Sequence, residues 1–493
     1  MALIPLQLPP GVHRNGTDFE SSNRWRDASL VRWHDGSMRP VGGWTVRKSS
    51  AFASAPRAML SYLDNNSAEH LVAGTFNKLY YVNPSQTVYD LTPTSGFTSG
   101  TLSGAVNTGF GGGFYGSTNY GSAPTSSGVY SEATTWSLDT WGEYLLAVSS
   151  TDGKLLEWQG NTGVKAQTVS NAPTGNNAMV VTEERFVFCL GAGGNPRKVQ
   201  WSDKENNTVW SASATNEAGD MELQTTGQIM CGLRMRGSTL ILTDNDAHIA
   251  EYSGPPFVYG FQRVGTACGV ASRKAAVAID QGAFWMGKKG FFTFDGSTAK
   301  EMPCEVADYV FDDLNTAQKT KVYAVHNSQF GEIWWFYPSG SSNENDRYVT
   351  LDYKEGHWAT GTIDRTAAVD QGVFTNPIFA DASGNLYNHE TGYTHGSVKP
   401  FAESGPISLG NGDNIMKVTS LIPDERVQGE VKVTFKTRLH PNASETNHGE
   451  VVLTNPTDVR FQGRQVRMKV QGAGNSNWRS GVMRVEATPG GRR

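Results

Sequence analysis

The sequence of 493 residues is poor in charge and contains no long apolar run. Charged residues make up 18% of the chain, against about 25% in ordinary globular proteins. No stretch approaches the roughly 18 apolar residues of a membrane-spanning helix. Charged residues within the first thirty positions also argue against a secretory signal. We therefore expect synthesis in a cytoplasm and no membrane span.

Cysteine is scarce as well. The four cysteines, Cys189, Cys231, Cys268 and Cys304, lack Cys-x-x-Cys spacing, which disfavours a zinc or thioredoxin-like site. We interpret them as small buried hydrophobes in successive repeats, with disulfide pairing as the alternative. The ten histidines do not show the i, i+4 spacing of a helical metal pair. The sequence thus predicts no metal site and no cofactor.

Glycine and aromatic residues are abundant instead. The chain has 55 glycines, 13 Trp, 17 Tyr and 22 Phe. This composition disfavours a helical bundle, and the large aromatic side chains argue against disorder. It indicates a folded, mainly β protein.

The charge is distributed unevenly along the chain. The net charge is −5, which excludes a generally basic nucleic-acid binder. Residues 1–50 carry +3, residues 51–399 carry −12 and residues 400–493 carry +4. Basic ends and an acidic middle could steer contacts between subunits, in which case salt should weaken self-association.

Short aromatic strands recur along the middle of the chain. They lie at 79–82, 155–158, 198–201, 249–252, 291–294, 350–353 and 386–389, and only the first interval is much wider than the others. A more apolar strand precedes several of them, and Asp152-Gly153 suits the intervening turn. We interpret each pair as the inner hairpin of a four-stranded blade. The predicted fold class is a β-propeller of six or seven blades, with a pair of β-sandwiches as the alternative.

The predicted domains are a 1–50 N-terminal extended arm and β-hairpin, a 51–399 propeller and a 400–493 β-sandwich or barrel. In the last of these, apolar residues alternate with Lys and Arg, as in 431–437 and 466–470, which indicates half-buried strands with a basic outer face. One helix is expected within 304–321, where Val306, Val310 and Leu314 keep helical spacing.

An insertion at 91–131 contains no charged residue. It is rich in Gly, Ser, Thr and Asn, which predicts a flexible segment. A plain surface loop is one interpretation. The other is a gate or tip loop that lines an opening, for which the candidate residues are Phe97, Phe110, Phe114, Tyr115 and Tyr120.

The N-terminal segment 23–40 has the pattern of a strand, an Asp35-Gly36 turn and a returning strand. It supplies a candidate partner-contact arm of Arg24, Trp25, Arg26, Arg32 and Trp33. Stacking of guanidinium groups on indoles within the chain is the alternative interpretation of the same residues.

Catalytic motifs are weak throughout. Residues 111–116 match G-x-G-x-x-G by letter but lack a strand-to-helix context. Asp244-Asn245-Asp246 begins like a calcium loop without the later Gly and Glu. Residues 150–158 and 202–210 are only faintly similar to the turns of sialidases. We expect no enzyme, with a propeller glycosidase as the alternative.

The two ends of the chain resemble a known family. PPGVHRNGT at 9–17, RWRD at 24–27 and MRPVGGW at 38–44 resemble the opening of tail proteins of short-tailed bacteriophages. VRFQGRQVR at 459–467, NWRSG at 477–481 and GGRR at 490–493 are similar to their closing sandwich. The stretch from KVQWSD at 198–203 to Trp210 is similar to a blade turn of these chains.

The resemblance implies a nozzle, or tail tubular B-type, protein. It implies a structural protein of the virion, a six-fold ring below the adaptor ring of the portal, and the gated exit of the genome through the tail tube during ejection. The expected partners are further copies of the chain, the adaptor ring, tail fibres or tailspikes, and double-stranded DNA in transit without specific binding. A peripheral propeller that binds a receptor or carbohydrate, with Tyr115 and Tyr120 stacking on sugar rings, is the alternative.

Overall fold

The computed structural model describes residues 2–106, 130–409 and 414–491. Besides a four-stranded sheet formed by the two chain ends, it contains seven antiparallel sheets of four strands that are complete within these ranges. The first strand of each sheet contacts the first strands of both neighbouring sheets, and the seventh sheet contacts the first, so the ring is closed. This arrangement is a seven-bladed β-propeller. The predicted fold class is confirmed, and paired sandwiches are excluded for the middle of the chain.

Each blade contains an inner, a second, a third and an outer strand. The inner strands of blades 1 to 7 are Ala58–Leu63, Trp136–Trp141, Ala178–Val181, Ile229–Met235, Ala276–Ile279, Tyr323–Asn327 and Ala367–Val369. The second strands are Glu69–Gly74, Tyr144–Ser149, Val187–Leu190, Ser238–Thr243, Gly282–Met286, Glu332–Tyr337 and Ile378–Ala380. The third strands are Leu79–Val82, Leu155–Trp158, Lys198–Trp201, Asp246–Gly254, Phe291–Phe294, Arg347–Asp352 and Leu386–His389. The outer strands are Val88–Asp90, Gln167–Thr168, Gly219–Glu222, Val258–Thr266, Ala299–Met302, His357–Thr362 and Trp44–Lys48.

The seven aromatic strands identified in the sequence are the third strands of the seven blades. The apolar strands before them are second strands, so each pair forms the middle hairpin of a blade rather than the inner one. Second strands are packed on both faces between neighbouring blades, and their sequences are therefore continuous apolar runs. Inner strands border the channel and several of them are partly exposed, as along Ala276–Ile279, which weakens their apolar signal.

The N-terminus closes the ring. The strand Trp44–Lys48 pairs with Leu386–His389 and so becomes the outer strand of blade 7. The Trp44 indole stacks on the imidazole of His389 with 5.3 Å between ring centroids, and His389 stacks in turn on Phe379 at 4.1 Å. A strand from the start of the chain thus completes the last blade and holds the propeller shut.

A β-sandwich is built from both ends of the chain. Its first sheet has the strand order Ala2–Leu6, Met483–Pro489, Met416–Ile422, Thr457–Gly463. Its second sheet has the order Trp25–Ser29, Phe401–Ser404, Gln465–Gly472, Val431–Arg438, Thr446–Val452, and Ile407–Ser408 also pairs with Gln465–Gly472. Residues 1–50, expected to form a separate arm and hairpin, are instead divided between the two domains, because their strands complete sheets of each.

The expected N-terminal hairpin is present between these two domains. Val31–His34 pairs with Ser37–Pro40 across Asp35 and Gly36, whose φ values of 52° and 73° suit a tight turn. The strand expected to run through 23–34 is interrupted at Leu30, which adopts a φ of 55° and donates its amide to the Tyr348 hydroxyl at 2.7 Å.

Helix is confined to short elements in the described ranges. The helix expected within 304–321 is an α-helix at Ala307–Asp313 followed by a 3-10 helix at Thr316–Lys321, and a further 3-10 turn lies at Ala192–Gly194. Phe311 packs on Phe291 of blade 5 at 5.5 Å between ring centroids. No helix in the described part of the chain has the length and apolarity to cross a bilayer. All four cysteines are free, and Cys304 is the one that is only partly buried.

Candidate functional site

The inserted segment between blades 1 and 2 crosses one end of the propeller's channel. Its described parts, residues 100–106 and 130–134, are termed the strap, and they pair with each other through Ala105–Val106 and Tyr130–Ser131. The Gly100 amide donates to the Phe76 carbonyl of blade 1 at 3.0 Å. Gln318, just before blade 6, exchanges two hydrogen bonds with Gly104, at 3.0 and 2.8 Å. A segment that joins non-adjacent blades in this way spans the channel end.

Three basic side chains at this end hold the strap. Arg57, Arg273 and Lys321 lie shortly before the inner strands of blades 1, 5 and 6, and because all inner strands run in the same direction these residues share one rim. Their contacts with the strap are Arg57 Nη2 to the Leu102 carbonyl at 3.1 Å, Lys321 Nζ to Ser103 Oγ at 3.1 Å and Arg273 Nη1 to Glu132 Oε2 at 2.7 Å.

Glu344 joins two of these cations, and the three side chains together are termed the clasp. Its carboxylate accepts from Nη1 and Nη2 of Arg57 at 2.6 and 2.7 Å and from Lys321 Nζ at 2.8 Å. The side chains of Arg57 and Lys321 are 2% and 0% exposed, against 25% for Glu344. Charged hydrogen bonds in a largely dry setting are the strong class. The clasp therefore fixes the rim to which the strap is attached.

The clasp alters the proton affinities of its members. Burial lowers the pKa of Lys321 to about 8, and the neighbouring Arg57 charge acts in the same direction against the favourable contact with Glu344. Burial alone would raise the pKa of Glu344, but the Arg57 and Lys321 charges outweigh burial and hold it below 4.5. At neutral pH the carboxylate is thus ionised.

The opposite end of the channel opens into a cleft of about 810 Å³. It lies between blades 4 and 5 and includes the turns Arg236-Gly237, Asp280-Gln281 and Asp295-Gly296. Glu183 reaches this rim from blade 3 and accepts from the Gly237 amide at 2.7 Å. The two channel ends therefore differ: one is crossed by the strap, and the other is open and bears carboxylates.

The candidate gate residues fall into two groups. Phe97 stacks on Trp136 of blade 2, with 5.9 Å between ring centroids and planes 15° apart, so the structure places it against the propeller core. Phe110, Phe114, Tyr115 and Tyr120 lie outside the described residues. The described part of the insertion contacts the channel rim through the strap.

The candidate partner-contact residues lie where the sandwich meets the propeller. Trp25 and Trp33 are 6% and 3% exposed, with ring centroids 6.0 Å apart. Arg24 pairs with Glu305 at 2.5 Å, and Arg26 pairs with Asp18 at 3.1 Å. The structure uses these side chains within the chain, as in the alternative interpretation, although the guanidinium contacts are carboxylates rather than indoles.

Arg32 is the most deeply engaged of these residues. Its guanidinium contacts Glu332 at 2.8 and 2.9 Å and Glu390 at 2.6 and 3.1 Å. It also stacks on Phe330 at 3.7 Å. Burial would lower the pKa of Arg32, but the two carboxylates raise it overall. With 4% of its surface exposed, Arg32 has no free face for a partner.

The basic outer face expected on the sandwich is present, and several of its side chains are ion-paired. Lys432 contacts Glu450 at 2.6 Å, and Lys436 contacts Glu403 at 2.8 Å. Asp18 accepts from Arg438 at 2.8 Å and also from Arg467. An N-terminal carboxylate thus binds two basic side chains of the C-terminal strands, which ties the two ends of the chain together.

One group of side chains has metal-ligand chemistry within the ranges the structure describes. Ligand atoms of His34, Asp352 and Glu355 lie within 4.8 Å of one another. Asp352 already accepts from the amides of Lys354 and Glu355, at 2.9 and 2.8 Å. No spacing in the sequence signals this group, because the hairpin carrying His34 lies near the start of the chain and blade 6 lies far beyond it.

Sequence reasoning also missed the clasp and the rim. Arg57 and Glu344 are 287 residues apart, so their contact has no local pattern. A signal does exist in the repeat itself, because a basic residue stands one to three positions before the inner strand in four blades, the fourth being Arg365 of blade 7. Alignment of the blades on their inner strands would have revealed it.

Comparison with known proteins yields distant structural likenesses. No protein-family model and no curated protein matches the chain. Virginiamycin B lyase from Staphylococcus aureus is similar with a TM-score of 0.43 and 8% identity, over 70% of this chain and 98% of the lyase. The Pan2 WD40 domain of Neurospora crassa is similar with a TM-score of 0.39 and 10% identity, over 72% of this chain and 95% of that domain. PorZ of the Porphyromonas gingivalis type-IX secretion system is similar with a TM-score of 0.38 and 7% identity, over 85% of this chain and 46% of PorZ. The closed ring of seven sheets, rather than these likenesses, identifies the propeller.

Proposed function

We propose that the chain is a non-enzymatic structural protein of a bacteriophage tail. In this proposal it forms a ring, with six copies as the expected number, below the adaptor of the portal vertex. The ring surrounds the path of the genome and gates its exit during ejection.

The observation that carries the proposal is the joint domain formed by the two chain ends. The segments that resemble tail proteins lie at 9–44 and 459–493, and strands from these regions meet in one sandwich. Trp25–Ser29 lies in the same sheet as Gln465–Gly472, and Met38 exchanges two backbone hydrogen bonds with Ser480, at 3.1 and 3.0 Å. Two resemblances that are far apart in sequence therefore describe a single structural unit. Such a unit suits contact with an adjacent ring.

Charge on the propeller is compatible with a conduit. A channel for DNA has to avoid phosphate contacts, because each one adds affinity through counterion release and slows passage. Residues 51–399 carry −12. Five of the seven turns between inner and second strands carry a carboxylate, namely Asp64, Glu143, Glu183 with Glu184, Asp280 and Asp370. A face of this charge would repel DNA.

The strap bears on where DNA would pass. It crosses the propeller's own channel, and it is fastened to the rim by charged hydrogen bonds. The proposal therefore places the genome on the axis of a ring of copies and not inside one propeller.

Electron microscopy of virions and of the purified protein tests the proposal directly. We expect closed rings at the tail, directly below the adaptor, and recruitment of the purified protein by that adaptor. Copies found on peripheral fibres, or virions that lack the chain, would refute it.

A deletion tests the gating role separately. Val106 and Tyr130 are paired strand residues, so residues 107–129 can be replaced by Asn-Gly, which suits a two-residue hairpin turn. This variant keeps the strap. We expect assembled particles that lose DNA prematurely, whereas a variant with the same number of uncharged residues in scrambled order serves as the length control. Full DNA retention by the deletion variant would count against gating.

A glycan array addresses the carbohydrate-binding alternative. Phe294 is the one aromatic residue lining the 810 Å³ cleft in the described part of the chain, which gives little surface for sugar stacking. We expect no sugar preference. Selective binding to a glycan would favour the peripheral receptor-binding role instead.

A further inference from the structure

The propeller's central channel contains a cavity of about 200 Å³. The inner strands of blades 2, 3 and 4 and the start of blade 5 form its walls. Its charged lining consists of Asp139, Arg234, Arg273 and Lys274. Three cations thus face one carboxylate in a confined space.

Two of the three cations have carboxylate partners. Arg234 Nη2 contacts Asp139 Oδ1 at 2.9 Å. Arg273 contacts Glu132 of the strap at 2.7 Å and Asn177 at 3.2 Å. Asp139 also accepts from the amides of Val181 and Thr140, at 2.9 and 2.8 Å, so each of its oxygens already has a partner.

Lys274 is the cation left over. Its ammonium group has no hydrogen bond or ion pair within residues 2–106, 130–409 and 414–491. The inserted residues 107–129 contain no Asp or Glu and cannot supply a carboxylate. Burial lowers the pKa of Lys274, and Cys231 and Asp139 oppose that shift. A confined positive charge without a direct counter-ion contact is unfavourable.

The cavity borders the open end of the channel. Arg234 lines both the cavity and the 810 Å³ cleft, and its side chain is 45% exposed. The other end lies beneath the strap. A ligand would therefore enter from the cleft and stop at Lys274.

We propose that this cavity is a binding site for a small oxyanion, held between Lys274 and Arg234. A volume of 200 Å³ holds roughly seven water molecules at about 30 Å³ each, which is enough for an ion the size of inorganic phosphate with part of its hydration. Lys274 supplies the unmatched charge, and Arg234 presents a planar donor group suited to oxyanions. Arg273 is bound to Glu132 of the strap, so its charge attracts the anion without a direct contact. The site is independent of the role proposed for the ring.

The class of anion follows from the enclosure. A phosphate within duplex DNA cannot enter a cavity walled by four blades beneath the strap, whereas a free anion can pass Arg234. The site is therefore expected to bind inorganic phosphate and to ignore duplex DNA.

Titration calorimetry of the full chain with inorganic phosphate, at constant ionic strength in sodium chloride, tests the proposal. We expect saturable binding of one phosphate per chain, at least tenfold weaker in Lys274→Met. Lys204→Met removes an exposed lysine far from the cavity and should bind within twofold of wild type. Absence of saturable binding in the wild type, or equal binding by Lys274→Met, would overturn the proposal.

A second measurement needs no variant and covers the case in which Lys274→Met does not fold. Reductive methylation of the wild-type chain, resolved by residue with mass spectrometry, reports access to each amine. Phosphate should slow modification of Lys274 at least fivefold and leave Lys204 unchanged, and a short DNA duplex should protect neither. Equal Lys274 rates with and without phosphate, or protection by the duplex alone, would contradict the site.

Discussion

Replacement of Glu344 by Gln should loosen the strap. The change removes the negative charge that joins Arg57 and Lys321 and keeps the side-chain shape. Both cations are almost fully buried, while a quarter of the Glu344 side chain is exposed. The strap contacts the same two cations through the Leu102 carbonyl and the Ser103 hydroxyl.

The size of the effect follows from these contacts. Breaking a buried ion pair by removal of one partner costs about 3–5 kcal/mol. Exposure of Glu344 and the contacts that remain for Arg57 and Lys321 reduce this to roughly 2–3 kcal/mol. Since about 1.4 kcal/mol corresponds to a factor of ten, local opening of the strap should become roughly 30- to 150-fold more frequent.

Native-state hydrogen exchange measures this opening directly. The informative amides are those of Gly100, Gly104 and Thr134, which donate to groups within the strap or on the blades. We expect faster exchange at these positions and unchanged exchange in the second strands of the blades. Glu301→Gln, an exposed change on the outer strand of blade 5, is the matched control. Unchanged strap exchange in Glu344→Gln, or the same acceleration in Glu301→Gln, would refute the clasp.

Three further predictions concern pH, ring closure and the domain seam. Because the folded-state pKa of Glu344 lies below 4.5, the stabilisation that its carboxylate gives is complete above pH 4.5 and is lost as pH falls through that lowered pKa. Hydrogen exchange of the strap amides, corrected for intrinsic rates, should therefore rise at low pH in wild type and stay constant in Glu344→Gln. Trp44→Ala should destabilise ring closure by about 2–4 kcal/mol, because packing on His389 is lost, and proteolysis near residue 44 should become faster. Val46→Ala changes a side chain of the same strand that is 59% exposed and should leave proteolysis unchanged. Equal cleavage of the two variants would contradict this account. Arg32→Met leaves Glu332 and Glu390 buried without their cation, and we expect a lower urea midpoint of unfolding, equivalent to about 3–5 kcal/mol. The guanidinium of Arg39 lies farther from the Phe330 ring that it shares with Arg32, so Arg39→Met should lower the midpoint less. An unchanged midpoint for Arg32→Met would refute the role of the Arg32 ion pairs.

The repeat could be predicted because it is a local property. Each third strand carries its aromatic residues within a few positions, as at Leu79–Val82, and each second strand is apolar because it packs on both faces. Spacing of these strands indicated the propeller and left its blade number between six and seven. The turn at Asp35-Gly36 was equally local, since positive φ at both positions is a property of the turn residues themselves.

Pairings between distant residues could not be predicted in the same way. Assignment of Trp44–Lys48 to blade 7 depends on Leu386–His389, at the far end of the propeller sequence, and a strand carries no mark of its partner. The same holds for Ala2–Leu6 in the sandwich and for Phe97, whose stacking on Trp136 of blade 2 depends on the fold.

The charged groups at the channel separate local from tertiary information most clearly. The order of residues along the chain was enough to establish that 91–131 is uncharged, that the middle of the chain is acidic and that the blades repeat. Folding was needed to bring Glu344 between Arg57 and Lys321 beneath the strap and to leave Lys274 in the channel without a direct carboxylate contact. Composition and periodicity follow from neighbours along the chain, whereas the energy of a charge depends on which distant groups, and how little water, folding places around it.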